Sequence, residues 1–311
     1  MSDKIKLLKN KLKESKISFK EKEPLSKHTS FEVGGPASIF IEPINKTGLI
    51  RSLELVNEFN IKYFILGGGS NIIVSDNGFN GAIIAMTSLN KISFQDNKVI
   101  AETGISLEKL CDEIANNSLT GMEFACGIPG SLGGAIFMNA GAYGGEMKQV
   151  IKKARLFSNN NGVVEYHKDK LELGYRYSVL QENDLIALEA ILELSPAPKS
   201  NIKNKMEELN EKRWAKQPMD YPSAGSAFKR PPDNYAGSLI EKAGLKGKKS
   251  GGAMVSKKHA GFIINSNNAT AADIIELMIT VQNEVKKKFN IQLYPEPRFL
   301  GQFDKLPKLD N

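Results

Sequence analysis

Cysteine and histidine are scarce in this sequence. It holds two cysteines, Cys111 and Cys126, and three histidines, His28, His167 and His259. The cysteines form neither a CxxC motif nor the spacing of a metal site, so we expect neither a disulfide framework nor a zinc site. The histidines are too scattered to predict a metal centre or a catalytic triad, and we expect no metal ion.

Long apolar runs are also lacking. The longest apolar stretches fall far short of the roughly 20 residues that a membrane-spanning helix needs. Near the N-terminus, Ile5, Leu7, Leu8 and Leu12 are spaced as one face of a basic amphipathic helix, without the apolar core or cleavage site of a signal peptide. The sequence therefore predicts a cytoplasmic protein with no segment inserted in a membrane.

Acidic residues are only slightly outnumbered. Lysine and arginine total 42 against 35 acidic residues, which gives a net charge of +7 at pH 7. This excess favours anionic partners. Because the lysines are spread along predicted helices and are not interleaved with aromatic residues, we favour a solvated face or phosphorylated small ligands and expect no nucleic-acid partner.

Glycine, in contrast, is concentrated in one stretch. Residues 127–145 read GIPGSLGGAIFMNAGAYGG and hold seven glycines in 19 positions. Each glycine gives up side-chain burial and costs backbone entropy, so such a density is typical of backbone that turns with positive φ or lies against a flat or anionic group. The stretch predicts a site for a large bound cofactor.

Two common nucleotide-binding motifs are missing. The P-loop pattern GxxxxGK[ST] is approached at residues 244–250, but the glycine spacing and the residue after the lysine are both wrong. The Rossmann pattern GxGxxG is also absent, because Gly67, Gly68 and Gly69 are followed by no third glycine in register. A doubly wound NAD-binding fold is therefore disfavoured.

A second glycine turn accompanies the long stretch. Residues 67–71, GGGSN, lie between two predicted strands. Three glycines alone are more typical of a tight hairpin, but two such turns in one strand-rich region offer consecutive backbone N–H groups to anions. Together they favour an extended dinucleotide ligand.

The remaining pattern predicts an α+β protein of two or three domains, as 311 residues allow. Prolines at 196 and 198 mark a boundary. A well-signalled helix follows from Ala271 to Phe289, with Thr270 and Asp273 spaced as a capping box. Further predicted strands are 37–42, 63–66, 81–86, 98–102, 153–158, 162–167, 185–194 and 261–265, and further helices 106–117, 200–216 and 235–243.

Six ordered motifs closely resemble those of the UDP-N-acetylenolpyruvoylglucosamine reductase family, also called UDP-N-acetylmuramate dehydrogenases. They are HTSF with GGPA at 28–37, LGGGSN at 66–71, the stretch 127–146, GYRYS at 174–178, AGSAFKRP at 224–231 and EPR at 296–298. The match spans roughly residues 25 to 301. Any one motif alone is a weak signal, whereas six in the same order are specific.

The resemblance implies an FAD-binding fold of the vanillyl-alcohol oxidase type, made of two α+β subdomains, plus a C-terminal α+β substrate-binding domain. We expect the subdomains at 1–75 and 76–198, the substrate domain at 199–301 and a tail at 302–311. In this family NADPH reduces noncovalent FAD, which then reduces UDP-N-acetylglucosamine-enolpyruvate to UDP-N-acetylmuramate for peptidoglycan. The chain is expected to be a monomer. It resembles the shorter class, because residues 177–215 leave no room for an inserted loop whose tyrosine covers the substrate.

Three catalytic residues are implied by the resemblance. Hydride addition to the enolpyruvyl group leaves an enolate-like charge, which Arg176 would stabilise through the carboxylate. Ser226 would donate the proton, and Glu296 would support the enolate or relay a proton. Taken alone, Arg176 is more typical of a surface strand and Ser226 of a turn.

The resemblance also implies the binding residues. Lys216, Lys229 and Arg230 would meet the substrate, with Arg230 standing where many relatives have asparagine. The FAD contacts would come from the two glycine segments, namely Gly67, Gly68, Gly69, Ser70, Asn71, Gly127, Ile128, Pro129, Gly130, Ser131, Gly133, Gly134, Asn139, Gly141 and Ala142.

Two alternative functions remain open at this level. Another FAD-dependent oxidase of the same fold, acting on a sugar or alcohol, would keep the glycine segments but leave Ser226 and Glu296 without a role. A basic phosphate- or nucleic-acid-binding protein without catalytic activity would explain the charge but not the glycines.

Overall fold

The computed structural model describes residues 2–182 and 184–310. Within them the chain forms two compact units. The first comprises Met1–Lys20, Ile39–Gly68 and Gly81–Lys212, and the second comprises Glu21–Ser38, Gly69–Asn80 and Arg213–Asn311. The predicted boundaries after 75, 198 and 301 are not boundaries of these units, so the three-part division stays a prediction.

The α-helices of the described residues are α1 Ser2–Glu14, α2 Lys46–Glu58, α3 Leu107–Asn116, α4 Leu132–Phe137, α5 Met147–Val150, α6 Lys199–Lys216, α7 Ala236–Lys242 and α8 Ala271–Phe289. The strands are β1 Ser18–Glu21, β2 Ala37–Glu42, β3 Tyr63–Leu66, β4 Ile72–Val74, β5 Phe79–Ala85, β6 Ile92–Gln95, β7 Lys98–Glu102, β8 Leu119–Thr120, β9 Gly141–Ala142, β10 Gly145–Glu146, β11 Ile151–Ser158, β12 Gly162–His167, β13 Leu185–Glu193, β14 Ser195–Pro196, β15 Lys249–Ser250, β16 Ala253–Val255, β17 Ile263–Asn265 and β18 Arg298–Leu300. Among these residues no helix is both long and apolar enough to cross a membrane.

The first unit is built on two sheets. One has the strand order β1-β2-β5-β3, with β3 and β5 parallel. Its core includes α1 and α2, where Leu8 and Leu12 are fully buried. Burial of such a leucine contributes about 1.5–3 kcal/mol. The sequence predicts Leu7 on the same face, but Leu7 is 53% exposed, because the helical periodicity of α1 directs its side chain away from those of Leu8 and Leu12.

The second sheet of this unit is antiparallel, in the order β12-β11-β13-β7-β6. A large apolar core joins it to α3, whose Leu107, Leu110 and Ile114 are buried as the sequence spacing predicts. Cys111 and Cys126 are both buried in this core, and the structure of the described residues does not join them in a disulfide. Burial raises the pKa of the Cys111 thiol well above its usual range.

The second unit combines the antiparallel sheet β15-β16-β17, the parallel pair β18-β4, and helices α7 and α8. Helix α8 has the predicted bounds, and Thr270 and Asp273 form the predicted capping box. Asp76 adds a second cap, because its carboxylate accepts from the N–H groups of Ala271 at 2.8 Å and Ala272 at 3.0 Å. The interior stripe of α8 packs in the core of the unit.

The segment between Arg176 and Lys216 consists mostly of helices and strands joined by short connections. After a 3-10 turn at Val179–Gln181 come β13, β14 and α6, separated by a few residues each. The described residues of this segment therefore contain no inserted loop, as expected for the shorter class.

Candidate functional site

The two glycine segments touch through their backbones. A Cβ on Gly67 would lie 2.3 Å from the hydroxyl oxygen of Ser131, and a Cβ on Gly68 would lie 2.6 Å from the Cα of Gly130. Both separations are below any real contact of a Cβ atom. Gly67 and Gly68 are therefore required for the close approach of the two predicted cofactor segments.

These segments present backbone donors. Among residues 2–182 and 184–310, the N–H groups of Gly68 and Gly130 in the first unit donate no hydrogen bond to a protein group, and the same holds separately for Gly69 in the second unit. Gly69 is buried and has a φ of +63°. A buried donor without an acceptor is costly unless a ligand satisfies it. Taken unit by unit, these donors thus fit an anionic group such as a phosphate of FAD.

The long glycine stretch contains a helix that the sequence pattern does not reveal. Ser131 caps α4 by accepting from the N–H of Gly134. The N–H of Gly133 donates to the carbonyl of Thr103 at 2.8 Å, which ties the helix to the antiparallel sheet. The stretch is a fixed scaffold, and its glycines serve packing as well as ligand access.

Asn139 follows α4 in a left-handed conformation, with φ of 41°. Its amide nitrogen donates to Glu146 Oε2 and to the carbonyl of Gly174, both at 3.0 Å, and its Oδ1 accepts from the N–H of Lys148 at 2.9 Å. The residue is 2% exposed, and both polar atoms of its side chain are hydrogen-bonded within the protein. Contact of Asn139 with FAD stays a prediction.

Arg176 lies in a tight turn. The N–H of Gly174 donates to the carbonyl of Tyr177 at 3.1 Å, and the N–H of Tyr177 donates back at 3.2 Å. Within this turn Arg176 has a φ of 55°, a left-handed conformation that is uncommon outside glycine. Its guanidinium carbon lies 5.4 Å from the ring centroid of the exposed Tyr175. Arg176 is therefore a half-buried turn residue and not part of a surface strand.

This turn is fastened to the end of α4. The Ser178 hydroxyl and the Gln181 amide both donate to the carbonyl of Phe137 at 2.8 Å. The same Gln181 nitrogen donates to the carbonyl of Arg176 at 2.9 Å. With the bond from Asn139 to Gly174, the structure brings the predicted catalytic arginine beside the predicted cofactor segment.

Ser226 and Glu296 lie on neighbouring backbone segments of the second unit. Ala227 donates to the carbonyl of Gly261 at 2.8 Å, and its own carbonyl accepts from the N–H of Glu296 at 3.2 Å. Ser226 and Glu296 are both half-buried. Seventy residues of sequence separate them, so this proximity comes from the fold.

The first glycine segment, residues 67–71, is hydrogen-bonded to the segment that holds Glu296. The Asn71 amide donates to the carbonyl of Glu296 at 3.4 Å, and the Asn71 carbonyl accepts from the N–H of Arg298 at 3.0 Å. A Cβ on Gly69 would lie 1.9 Å from the carbonyl oxygen of His28. Burial lowers the pKa of the Arg298 guanidinium, although the residue as a whole is exposed. Gly69, Asn71 and Glu296 thus belong to one local structure.

His259 supports the segment that holds Ser226. Its Nδ1 accepts from the N–H of Gly261 at 3.1 Å, so the neutral ring carries its proton on Nε2. Gly261 in turn binds Ala227, and the Phe262 ring meets the histidine ring edge-on at 5.1 Å. Burial lowers the pKa of His259 below its usual 6.5.

The three predicted substrate residues differ in their surroundings. Lys216 is exposed at the last position of α6. The Lys229 ammonium lies 3.3 Å from Asp310 Oδ2. The guanidinium carbon of Arg230 lies 4.6 Å from the ring centroid of Tyr235, which is 64% exposed. Their roles toward substrate stay predictions.

Sequence reasoning missed Ser178, Gln181 and His259. Ser178 lies in the GYRYS motif but has no predicted role there, and the sequence around Gln181 and His259 does not indicate which main-chain atoms bind these side chains. Gln181 and Arg176 are five residues apart, a separation that matches no standard turn pattern and so does not predict their hydrogen bond.

Two family models match the chain. Residues 37–166 match an FAD binding domain, and residues 217–300 match the C-terminal domain of UDP-N-acetylenolpyruvoylglucosamine reductase. The protein therefore carries an FAD-binding domain followed by the C-terminal domain of this reductase, which confirms the predicted fold class and FAD as its cofactor.

Curated relatives match over almost the whole length. A UDP-N-acetylenolpyruvoylglucosamine reductase of Clostridium perfringens is 47% identical over 90% of this chain and 92% of its own. One from Caldanaerobacter subterraneus is 48% identical over 95% and 97%. The crystal structure of the Thermus caldophilus reductase superposes with a TM-score of 0.79 at 33% identity, covering 91% of this chain and 99% of that one. The chain belongs to the UDP-N-acetylenolpyruvoylglucosamine reductase family.

Proposed function

We propose that this protein reduces UDP-N-acetylglucosamine-enolpyruvate to UDP-N-acetylmuramate, a step in the synthesis of peptidoglycan precursors, with NADPH as the reductant. The observation that carries the proposal is the similarity to these reductases over nine-tenths of the chain. It favours this reaction over that of a sugar or alcohol oxidase. FAD, when bound, supplies the hydride that it has taken from NADPH.

We assign the cofactor to the two glycine segments. The backbone donors of Gly68 and Gly130 fit the pyrophosphate, and the close approach of Gly68 to Gly130 leaves no space for a side chain there. The remaining predicted contacts, among them Ile128, Pro129 and Ala142, lie in the same segments. Binding is expected to be noncovalent.

Arg176 would bind the carboxylate of the enolpyruvyl group. A guanidinium holds a carboxylate through two parallel hydrogen bonds, and its attraction grows as negative charge is delocalised into that group. The left-handed turn and its ties to α4 support this role, because a fixed backbone limits where the guanidinium can lie.

Ser226 would supply the proton that completes the reduction. A carbanion-like carbon is basic enough to take a proton from a weakly acidic hydroxyl that is held against it. The backbone of this segment is fixed on both sides through Ala227, which supports precise placement. Glu296, on the adjoining segment, would stabilise the enolate in a protonated form or relay the proton. Lys216, Lys229 and Arg230 would bind the substrate phosphates.

The finer properties of the enzyme belong to the same proposal. NADPH is the expected reductant: each substrate molecule would receive one hydride that originates from NADPH and one separate proton, which together add two hydrogens across the enolpyruvyl double bond. We also propose that the protein works as a monomer in the cytoplasm. Size-exclusion chromatography with light scattering would test the monomer directly.

A coupled assay tests the reaction. The purified protein is mixed with FAD, NADPH and UDP-N-acetylglucosamine-enolpyruvate, and NADPH oxidation is followed with and without the enolpyruvyl substrate. We expect oxidation that depends on this substrate and a product of the mass of UDP-N-acetylmuramate. Substrate-independent oxidation alone would reject the proposal, and flavin remaining with acid-precipitated protein would favour a covalent oxidase.

A further inference from the structure

The conformation of Arg176 needs external support. A non-glycine residue is less stable in the left-handed region than in the right-handed one, because its Cβ crowds the following carbonyl oxygen. Arg176 has a φ of 55°, and the two main-chain bonds between Gly174 and Tyr177 close a turn of four residues. Strained turns of this kind persist where the surroundings fix them.

Three side chains provide that support at different points. Asn139 binds the carbonyl of Gly174, the first residue of the turn, and Ser178, directly after the turn, binds the end of α4. Gln181 binds the carbonyl of Arg176 itself at 2.9 Å. Gln181 therefore acts at the residue whose conformation is strained.

The chemistry of Gln181 matches two acceptors at once. Its Nε2 carries two hydrogens, and it donates to the carbonyls of Arg176 at 2.9 Å and Phe137 at 2.8 Å. Phe137 is the last residue of α4, inside the long glycine stretch. One amide group thus joins the backbone of the predicted catalytic arginine to the predicted cofactor segment.

We propose that Gln181 is a positioning residue for the reduction, which sets the place of the Arg176 guanidinium by holding its turn against the end of α4. The proposal rests on the proposed function of Arg176. Gln181 acts through the backbone of Arg176 and takes no part in proton or hydride transfer.

Two substitutions disrupt the hydrogen bonds of Gln181 to different degrees. Gln181→Met keeps the length of the side chain and removes both donors, whereas Gln181→Glu also places a carboxylate against two carbonyl oxygens. The control is Gln95→Glu, the same chemical change at an exposed residue at the end of β6 in the same unit. Unfolding curves and FAD titrations verify that each variant folds and binds the cofactor.

Two readouts separate positioning from a general structural effect. Hydrogen exchange of the peptide containing residues 174–178 is expected to quicken about ten-fold in Gln181→Met and further in Gln181→Glu, as expected for lost hydrogen bonds. In stopped-flow measurements, flavin reduction by NADPH is expected to stay within about two-fold of wild type, while flavin reoxidation by the enolpyruvyl substrate slows about ten-fold or more. Gln95→Glu is expected to match wild type in both.

The outcomes are distinct from those of the function assay. If both half-reactions fall equally, or if exchange of the turn is unchanged in both variants, the positioning role is overturned. If the wild-type protein itself fails to turn over the enolpyruvyl substrate, the proposed function fails, and the exchange measurement still decides whether Gln181 holds the turn.

Discussion

At the scale of single residues, the backbone of Arg176 and its guanidinium make separable contributions. Arg176→Gly relieves the left-handed strain and Arg176→Ala keeps it, so we expect the glycine variant to be more stable by about 1 kcal/mol. Both variants are expected to lose substrate reduction by at least about 100-fold, because both lack the guanidinium. Urea unfolding and steady-state kinetics measure the two effects, and equal stabilities would contradict the strain.

Ser226 is expected to affect one half-reaction. Ser226→Ala removes the proton donor, so flavin reduction by NADPH should continue while reoxidation by the enolpyruvyl substrate slows by orders of magnitude. Ser223→Ala, a change of the same kind three residues earlier, is the control. Equal loss in both half-reactions would indicate that Ser226 is structural.

His259 is expected to make stability depend on pH. Burial lowers its pKa below 6.5 in the folded protein, with Lys246 lowering it further and Glu241 opposing. Below pH 6.5 the unfolded chain therefore binds a proton at His259 more readily than the folded protein does. The stability that neutral His259 contributes is present above pH 6.5 and is lost as the pH falls through the pKa of His259 in the folded protein. Protonation also removes Nδ1 as acceptor for Gly261.

The measurement compares unfolding free energies between pH 7.5 and 5. Wild type is expected to lose more stability on acidification than His259→Gln, which does not titrate. His167→Gln, at an exposed histidine, is the control and should follow wild type. Parallel curves for wild type and His259→Gln would refute the assignment.

At the scale of elements, the contact between the two glycine segments is the sensitive point. Gly68→Ala places a methyl group 2.6 Å from the Cα of Gly130, so we expect the segments to separate and FAD affinity to fall at least about ten-fold. The control is Gly162→Ala at the first residue of β12, where φ is also positive but an added Cβ would have nothing within 4 Å. It should lose about 1 kcal/mol of stability and retain FAD binding. Flavin fluorescence titration measures the FAD affinity of both variants, and urea unfolding measures the stability of Gly162→Ala.

Elements with their own signals were predictable, and elements fixed by distant partners were not. The capping box and apolar stripe of α8 define its bounds in the sequence alone. The second cap of α8, Asp76, lies 195 positions earlier and could not be inferred. Helix α4 was hidden because its glycines indicate a loop, whereas its cap and its bond to Thr103 stabilise it.

At the scale of the whole molecule, the order of the six motifs was enough to predict the fold class, the cofactor and the reductase family. The residues expected to catalyse the reaction were predicted from those motifs, and their roles stay predictions. Their supporting contacts required the folded structure, because Gln181 also binds the carbonyl of Phe137, 44 positions earlier, and His259 supports Ser226 only through the distant bond between Ala227 and Gly261.

The two cysteines and the single tryptophan of the sequence are distributed in a useful way. Both thiols are buried in the core of the first unit, whereas Trp214 lies in the second and is 53% exposed. A thiol buried in this way is inert toward labelling reagents until the surrounding structure opens. Thiol labelling therefore reports opening of the first unit, and indole fluorescence reports the second, so the natural sequence carries its own pair of local probes.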